Sequence, residues 1–407
     1  FKEIDEVYEF ATDNELIGKE LKHPSKSLVR LWNVITQKPL VSYFQEEDQD
    51  LNKVLNIFIR VNSGGTELSY SDMLLSIATA QWQNHNAREA IYELVDGLNR
   101  VGGSFNLTKD FVLKSCLVLS DISNVAFKVN NFNRENMLLI EQKWPHIVRT
   151  LNTTMRLLAS WGYNRDTLAA NNAIIPLAYY LMKTEKPSEF VMSPGFNEDR
   201  ELMWHWLRAA LLKRTFSGQP DSVLRKIRGL ITAEHARFPS REIFAAFSGT
   251  AKSMAFDEDQ IDALLDYQYG DGYTFSVLAS LYPWLDFENH FHMDHIFPRA
   301  MFTPQNLKKS GIPEGDWYKW LDHKDDLANL QLLQGLVNQN KSDKEFEAWL
   351  MHSHPTDMDL QAYMKENMIP DVPLTFENFP EFLEARGGLI KKKLAEDLRM
   401  PGETEGV

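Results

Sequence analysis

The chain has 407 residues, enough for two or three domains with substantial cores. Its 43% hydrophobic and 25% charged content is that of an ordinary soluble protein, with no apolar run of membrane-spanning length and no leader pattern. One cysteine, Cys116, excludes an internal disulfide and fits a reducing cytoplasm, and the net charge of −14 argues against nonspecific coating of nucleic acid.

Residues 1–56 mix short helical patterns with polar turns, and the acidic run Glu46-Glu47-Asp48-Gln49-Asp50 reads as a solvated loop. The chain opens on Phe1 inside a helical pattern, so further sequence is expected before it. Next comes Phe58-Ile59-Arg60-Val61-Asn62-Ser63-Gly64-Gly65-Thr66, leading to an amphipathic helix with Ser69 as its N-cap and Asp72 at the third helical position. Paired glycines beside Ser and Thr suit backbone capture of an anion, and they equally suit an ordinary turn. No Gly-Lys-Ser/Thr follows, so this is not a Walker A loop.

From about Asn86 to Asp286 apolar residues recur at spacings of three and four, which predicts a helical region. The predicted helices are Leu107–Leu119, Trp144–Ser160, Leu168–Met182, Glu201–Thr215 and Ser222–Ala236. Pro176 should kink one helix or start a new one, and Gly218 with Pro220 separates the last two. Between Leu202 and Arg241 eight basic residues stand against two acidic ones. Lys213, Arg214, Arg225 and Arg228 are thus expected to hold DNA, unless the run is merely a solvated helix face. Trp204, Trp206 and Phe216 read as core.

The segment Phe291-His292-Met293-Asp294-His295-Ile296-Phe297-Pro298 packs two histidines and an aspartate between apolar residues. Asn289 to Phe297 is the expected first strand, Trp317 to Asp326 a helical insertion, and Leu330 to Gln334 the second strand. Asn338-Gln339-Asn340-Lys341 follows, then Ser342-Asp343-Lys344-Glu345, which reads as a capping box opening a helix from Lys344 to His352. That placement puts Asn338 and Lys341 before a helix N-terminus, with Lys341 near a phosphate. Phe382, Arg386, Leu389, Leu394 and Leu398 share a register in a final helix.

In this order, His-x-Asp-His-Ile-x-Pro, Asn-Leu-x-Leu-Leu and Asn-x-Asn-Lys resemble an HNH (His-Me finger) nuclease, in which two strands and a helix surround one metal ion. Cleaving a phosphodiester needs a base for water and a cation for developing charge. Imidazole titrates near working pH, while a carboxylate and an amide oxygen suit Mg²⁺ or Mn²⁺. His295 is accordingly the expected base, with Asp294 and Asn338 as metal ligands. Asn329 completes the catalytic set as the residue tying the motif's two arms together. His292, on the strand face of Asp294, stands as an extra ligand or a phosphate contact. A zinc site is the competing idea, and the lone distant cysteine weighs against it.

Phe58 to Thr66, with Leu68, Ser69 and Asp72, resembles the end of the N-terminal domain of GmrSD-type proteins, modification-dependent (type IV) restriction enzymes and related phage-defence nucleases. That resemblance implies a mainly α chain in three parts. Residues 1–85 would be the C-terminal part of an α+β ParB-like nucleotide-hydrolysing domain, 86–285 a helical linker and DNA-binding domain, and 286–407 a ββα-metal (HNH) nuclease domain with C-terminal helices. It also implies a cytoplasmic endonuclease acting on modified foreign DNA, with no membrane partner and a homodimer as one arrangement open to it. Arg60, Asn62 and Thr66 would line the remains of a pocket for a nucleoside triphosphate, a ligand of the full-length protein. The family's Asp-Gly-Gln-Gln-Arg motif is absent and would be expected before Phe1, which leaves nucleotide hydrolysis by these residues unsupported. The reading from another class is a non-cutting DNA-binding or regulatory scaffold subunit.

Overall fold

Three- and four-residue apolar spacing runs through most of the chain, and the molecule is correspondingly mainly helical. The computed structural model describes residues 4–14, 22–38, 70–287 and 291–399, together with Glu47, Lys53 and Ile57. Arg60, Asn62, Thr66 and the cap expected at Ser69 lie outside the described residues. The chain divides into two compact units, Phe1–Glu67 and Leu68–Val407. In the first, α1 (Ile4–Asp13) packs on α2 (Lys22–Thr36), with Val7 and Ala11 buried.

The second unit begins with α3 (Tyr70–Gln81), α4 (Ala87–Asn99), α5 (Lys109–Leu119) and α6 (Arg134–Ser160). Asn133 caps α6 by accepting from the Asn136 N–H at 2.9 Å. The helix runs through Pro145 and so starts ten residues before the predicted Trp144. Its buried stripe of Met137, Ile140, Glu141 and Trp144 is continuous across that point. Glu141 reaches out of α6 to the turn after α3, where it accepts from the N–H groups of Gln83, Asn84 and His85 at 3.0, 2.6 and 3.0 Å.

Next come α7 (Ile174–Lys183), with Pro176 in its first turn, α8 (Asn197–Leu212) and α9 (Pro220–Leu230). Gly218, with φ +73°, makes the left-handed turn between the last two. Trp204, Trp206 and Phe216 are buried, as packing residues should be. Shorter helices α10 (Ser240–Phe247), α11 (Glu258–Asp262) and α12 (Thr274–Leu281) lead to the two-stranded sheet. That sheet pairs β1 (Phe291–His295) with β2 (Leu330–Gln334) in antiparallel fashion.

The insertion between the strands carries α13 (Pro304–Lys309) and α14 (Tyr318–Leu321), shorter than the predicted Trp317–Asp326 helix. After β2 come α15 (Gly335–Lys341), α16 (Phe346–Ser353), α17 (Asp357–Glu366) and α18 (Phe379–Asp397). The expected capping box is corrected here. Ser342 ends α15 with φ +47°, and α16 begins at Phe346 without a side-chain cap. In α18, Phe382, Arg386 and Leu394 are buried, whereas Leu389 is exposed and Ile390 takes its place.

Within the second unit, contacts run across the expected boundaries at 85 and 285. α3 packs on α4 and α6, and α12 packs on β2 and α18. What positions the site is an aromatic core just beyond β1. Ile296 and Phe297, the two residues after His295, are fully buried. The Phe297 ring lies 6.0, 5.4 and 5.0 Å from those of Phe346, Phe379 and Phe382. Burying one such ring contributes roughly 1.5–3 kcal/mol, so the end of β1 is firmly fixed.

Candidate functional site

Pairing of β1 with β2 sets Asp294 opposite Gln331 and His295 opposite Leu330. Past His295 the hairpin is closed by Asn329, which is fully buried in the short turn before β2. Its Oδ1 accepts from the Phe297 N–H at 2.9 Å, and its Nδ2 donates to the carbonyls of Phe297 and Lys324 at 3.2 and 2.7 Å. Its own carbonyl accepts from the Ile296 N–H at 2.8 Å. This amide joins the two arms of the motif.

Arg386 supports the same turn from α18. Its buried guanidinium donates to the carbonyls of Ala328 and Leu330, each at 2.8 Å, and to those of Asn367 and the Tyr282 hydroxyl. Burial lowers its pKa, against the pull of Tyr282 and Tyr363, yet an arginine stays charged at any working pH.

His295 is 8% exposed and its Nε2 lies 2.9 Å from Asp325 Oδ1. Asp325 is held in turn by Arg299, whose Nε and Nη2 lie 3.2 and 3.3 Å from its two oxygens. The Tyr269 ring leans on the imidazole with centroids 4.7 Å apart. A short bridge brings Tyr269 there: its N–H donates to the Asp325 carbonyl at 2.8 Å, and the Leu327 N–H donates to the Tyr267 carbonyl at 3.0 Å. Burial pushes the His295 imidazole below its ordinary value, opposed by the hydrogen bond and charge of Asp325. The ring is therefore neutral at physiological pH. Nδ1 makes no hydrogen bond among the described residues, yet it is not a buried atom left without a partner, so it keeps contact with solvent.

Asp294 faces a different set of partners. Its Oδ2 accepts from Lys341 Nζ at 2.9 Å and from Gln331 Nε2 at 3.0 Å. Tyr363 holds Gln331 in place by donating to its Oε1 at 2.8 Å. Lys341 also donates to the His295 carbonyl at 2.6 Å and is entirely excluded from solvent. Burial lowers the Lys341 pKa, against the attraction of Asp294. The expectation that Lys341 reaches a phosphate is thereby corrected, because its ammonium points inward. Lys341 and Asn338 also lie inside α15 rather than before a helix N-terminus.

Asn338 precedes Lys341 by three residues, one helical turn, so the face of α15 that carries Lys341 to Asp294 carries Asn338 as well. Among the described residues neither Asp294 Oδ1 nor the Asn338 side chain has a hydrogen-bond partner. One carboxylate and one amide oxygen fit a hard cation that keeps most of its waters. Among the described residues no group of three or more His, Cys, Asp or Glu side chains is arranged to hold a metal ion. Cys116 is buried in α5 and its thiol is pushed up to about 12, so it offers no thiolate for zinc.

His292 is exposed on β1 opposite Leu333. Three of the four basic residues have partners within the chain. Lys213 bonds Gln260, Arg214 lies over Tyr273, and Arg228 donates to the carbonyls of Ile122 and Ser123 at 2.7 and 3.2 Å. Arg225 is exposed, while Arg208, counted in the same basic run, is buried against Asp397 at 2.6 Å. Asp325, Arg299, Tyr269 and Gln331 carry no signal in the sequence, since the pairings that bring them in span 26 to 56 residues.

No protein-family model matches this chain, and no curated protein matches it.

Proposed function

We propose that the chain is a metal-dependent endonuclease that hydrolyses phosphodiester bonds in foreign, modified DNA, as the resemblance to GmrSD-type defence enzymes and HNH nucleases implies. The observation that carries this reading is the His295 ring: neutral, anchored through Nε2, open at Nδ1, and one residue from Asp294. An imidazole in that state accepts a proton from water as the water attacks phosphorus. Asp294 and Asn338 would hold Mg²⁺ or Mn²⁺, which neutralises charge on the phosphate and the leaving oxygen when bound. Gln331 and Lys341 keep the Asp294 carboxylate oriented, and Asn329 keeps the strand end in place. His292, exposed on β1, would contact the DNA backbone.

The rival is a non-cutting DNA-binding or regulatory scaffold subunit. It is favoured by the net charge of −14 and by the internal contacts that occupy Lys213, Arg214 and Arg228. Among the described residues no helix is long and apolar enough to cross a membrane. Cytoplasmic action, a homodimer and nucleoside triphosphate binding belong to the proposal. Plasmid nicking with Mg²⁺ or Mn²⁺, on modified and unmodified DNA, tests it. Cleavage that is lost in His295→Ala is expected; metal-independent binding without cleavage of either DNA selects the scaffold reading.

A further inference from the structure

The geometry points to Asp325 as a positioning residue that, clamped by Arg299, locks the His295 ring as its Nε2–H tautomer and turns Nδ1 toward water. The inference rests on the reading of His295 as the base, and it names what makes the imidazole competent.

An ionised carboxylate only accepts hydrogen bonds. Asp325 Oδ1 stands 2.9 Å from His295 Nε2, so Nε2 must carry the hydrogen. In a neutral imidazole the lone pair then resides on Nδ1, the nitrogen that keeps solvent contact. A ring free to exchange tautomers would present N–H to water for part of the time and could not take its proton. Which nitrogen serves as base is thus decided by Asp325.

Three contacts fix Asp325 itself. Arg299 grips both carboxylate oxygens, at 3.2 and 3.3 Å, which fixes the plane of the group. The Tyr269 N–H holds the Asp325 carbonyl at 2.8 Å. The Tyr269 ring then rests against the imidazole, with centroids 4.7 Å apart. Arg299 follows His295 by four residues, beyond the turn at Pro298, whereas Asp325 arrives from the far end of the insertion. The clamp therefore forms only when the insertion is folded.

The test reads the ring directly, by ¹⁵N NMR of full-length protein labelled at histidine, without metal, at a pH where His295 is neutral. The His295 signals are assigned by difference against His295→Gln. Wild type should show one Nε2–H tautomer, and Asp325→Leu, close in size and lacking an acceptor, should show a mixture. Single-turnover cleavage by Asp325→Leu should fall about 10- to 100-fold with KM for DNA unchanged. Arg299→Gln, which leaves the carboxylate but frees it, should fall between the two. A wild-type ring in the Nδ1–H form overturns the inference, whether or not the leucine variant folds. So does an Asp325→Leu variant, melting like wild type, that retains the single tautomer. Wild type that shows the Nε2–H tautomer but cleaves no DNA with any metal overturns the nuclease reading instead.

Discussion

Lys341 Nζ and Asp294 Oδ2 stand 2.9 Å apart, and the lysine side chain is wholly excluded from water. A buried pair of this kind is costly to break from one side, because the remaining charge keeps its desolvation cost and loses its partner. Lys341→Met should therefore lower stability by about 3–5 kcal/mol at neutral pH. Adding Asp294→Asn should return part of that loss, although the single Asp294→Asn change is itself destabilising. Urea unfolding of the three variants measures the coupling. Additive losses would show that the two groups do not depend on each other.

The site residues should fail in different ways. His295→Ala removes the base, an interaction that acts only on the way to the transition state, so single-turnover cleavage should drop by about 10² to 10⁴ with DNA affinity retained. Asp294→Ala and Asn338→Ala should instead raise the metal concentration needed, with excess Mn²⁺ partly restoring the rate. A metal titration of each variant separates the two patterns. His295→Ala cleaving within a few-fold of wild type at saturating metal would remove the base assignment.

Of the four basic residues expected on DNA, Arg225 and Arg228 should diverge. Arg228 donates to the Ile122 and Ser123 carbonyls, so Arg228→Ala should lower the melting temperature while leaving the salt slope of DNA binding unchanged. Arg225 is exposed, and Arg225→Ala should reduce that slope by about one while leaving the melt unchanged. Equal slopes in both variants and wild type would place DNA on another face.

Glu141 makes stability depend on pH. Burial alone would raise its pKa, but the N–H groups of Gln83, Asn84 and His85 outweigh burial and lower it. A carboxylate whose folded pKa is depressed contributes stability above its unfolded value, roughly 4.3, and that contribution is lost as pH falls from there through the folded value. Glu141→Gln should thus cost about 1–3 kcal/mol at pH 7. The gap between mutant and wild type should narrow below about pH 4. Urea midpoints at both pH values decide it, and a gap of constant size would show that charge is not the cause.

The second strand was legible to the residue because Leu330, Leu332 and Leu333 form a buried apolar run bounded by turn residues. Asn329 is legible only through the resemblance to the HNH motif, which implies an amide tying its two arms. The start of α6 was not legible, since Pro145 imitates the first turn of a helix while the apolar stripe continues through it. Ser342 misled in a related way. Ser-x-x-Glu is a local rule, and here the serine adopts φ +47° as the residue that ends a helix. Charge counting does not separate Arg208, buried against Asp397, from exposed Arg225, because a helix has several faces and a sequence window averages over them. Asp325 could not be found at all, because its place beside His295 depends on residues 267–269 meeting 325–327.

Arg386 has a consequence for the order in which the hairpin gains its support. It supplies the donors for the carbonyls of Ala328 and Leu330, 58 and 56 residues earlier in the chain. Until α18 docks, those carbonyls and the turn that holds Asn329 lack their buried partner. Translation delivers Asp294, His295 and both strands well before Arg386, so a nascent chain carries the hairpin before its turn has that buried donor. If the chain is the nuclease proposed above, docking of α18 would complete its site.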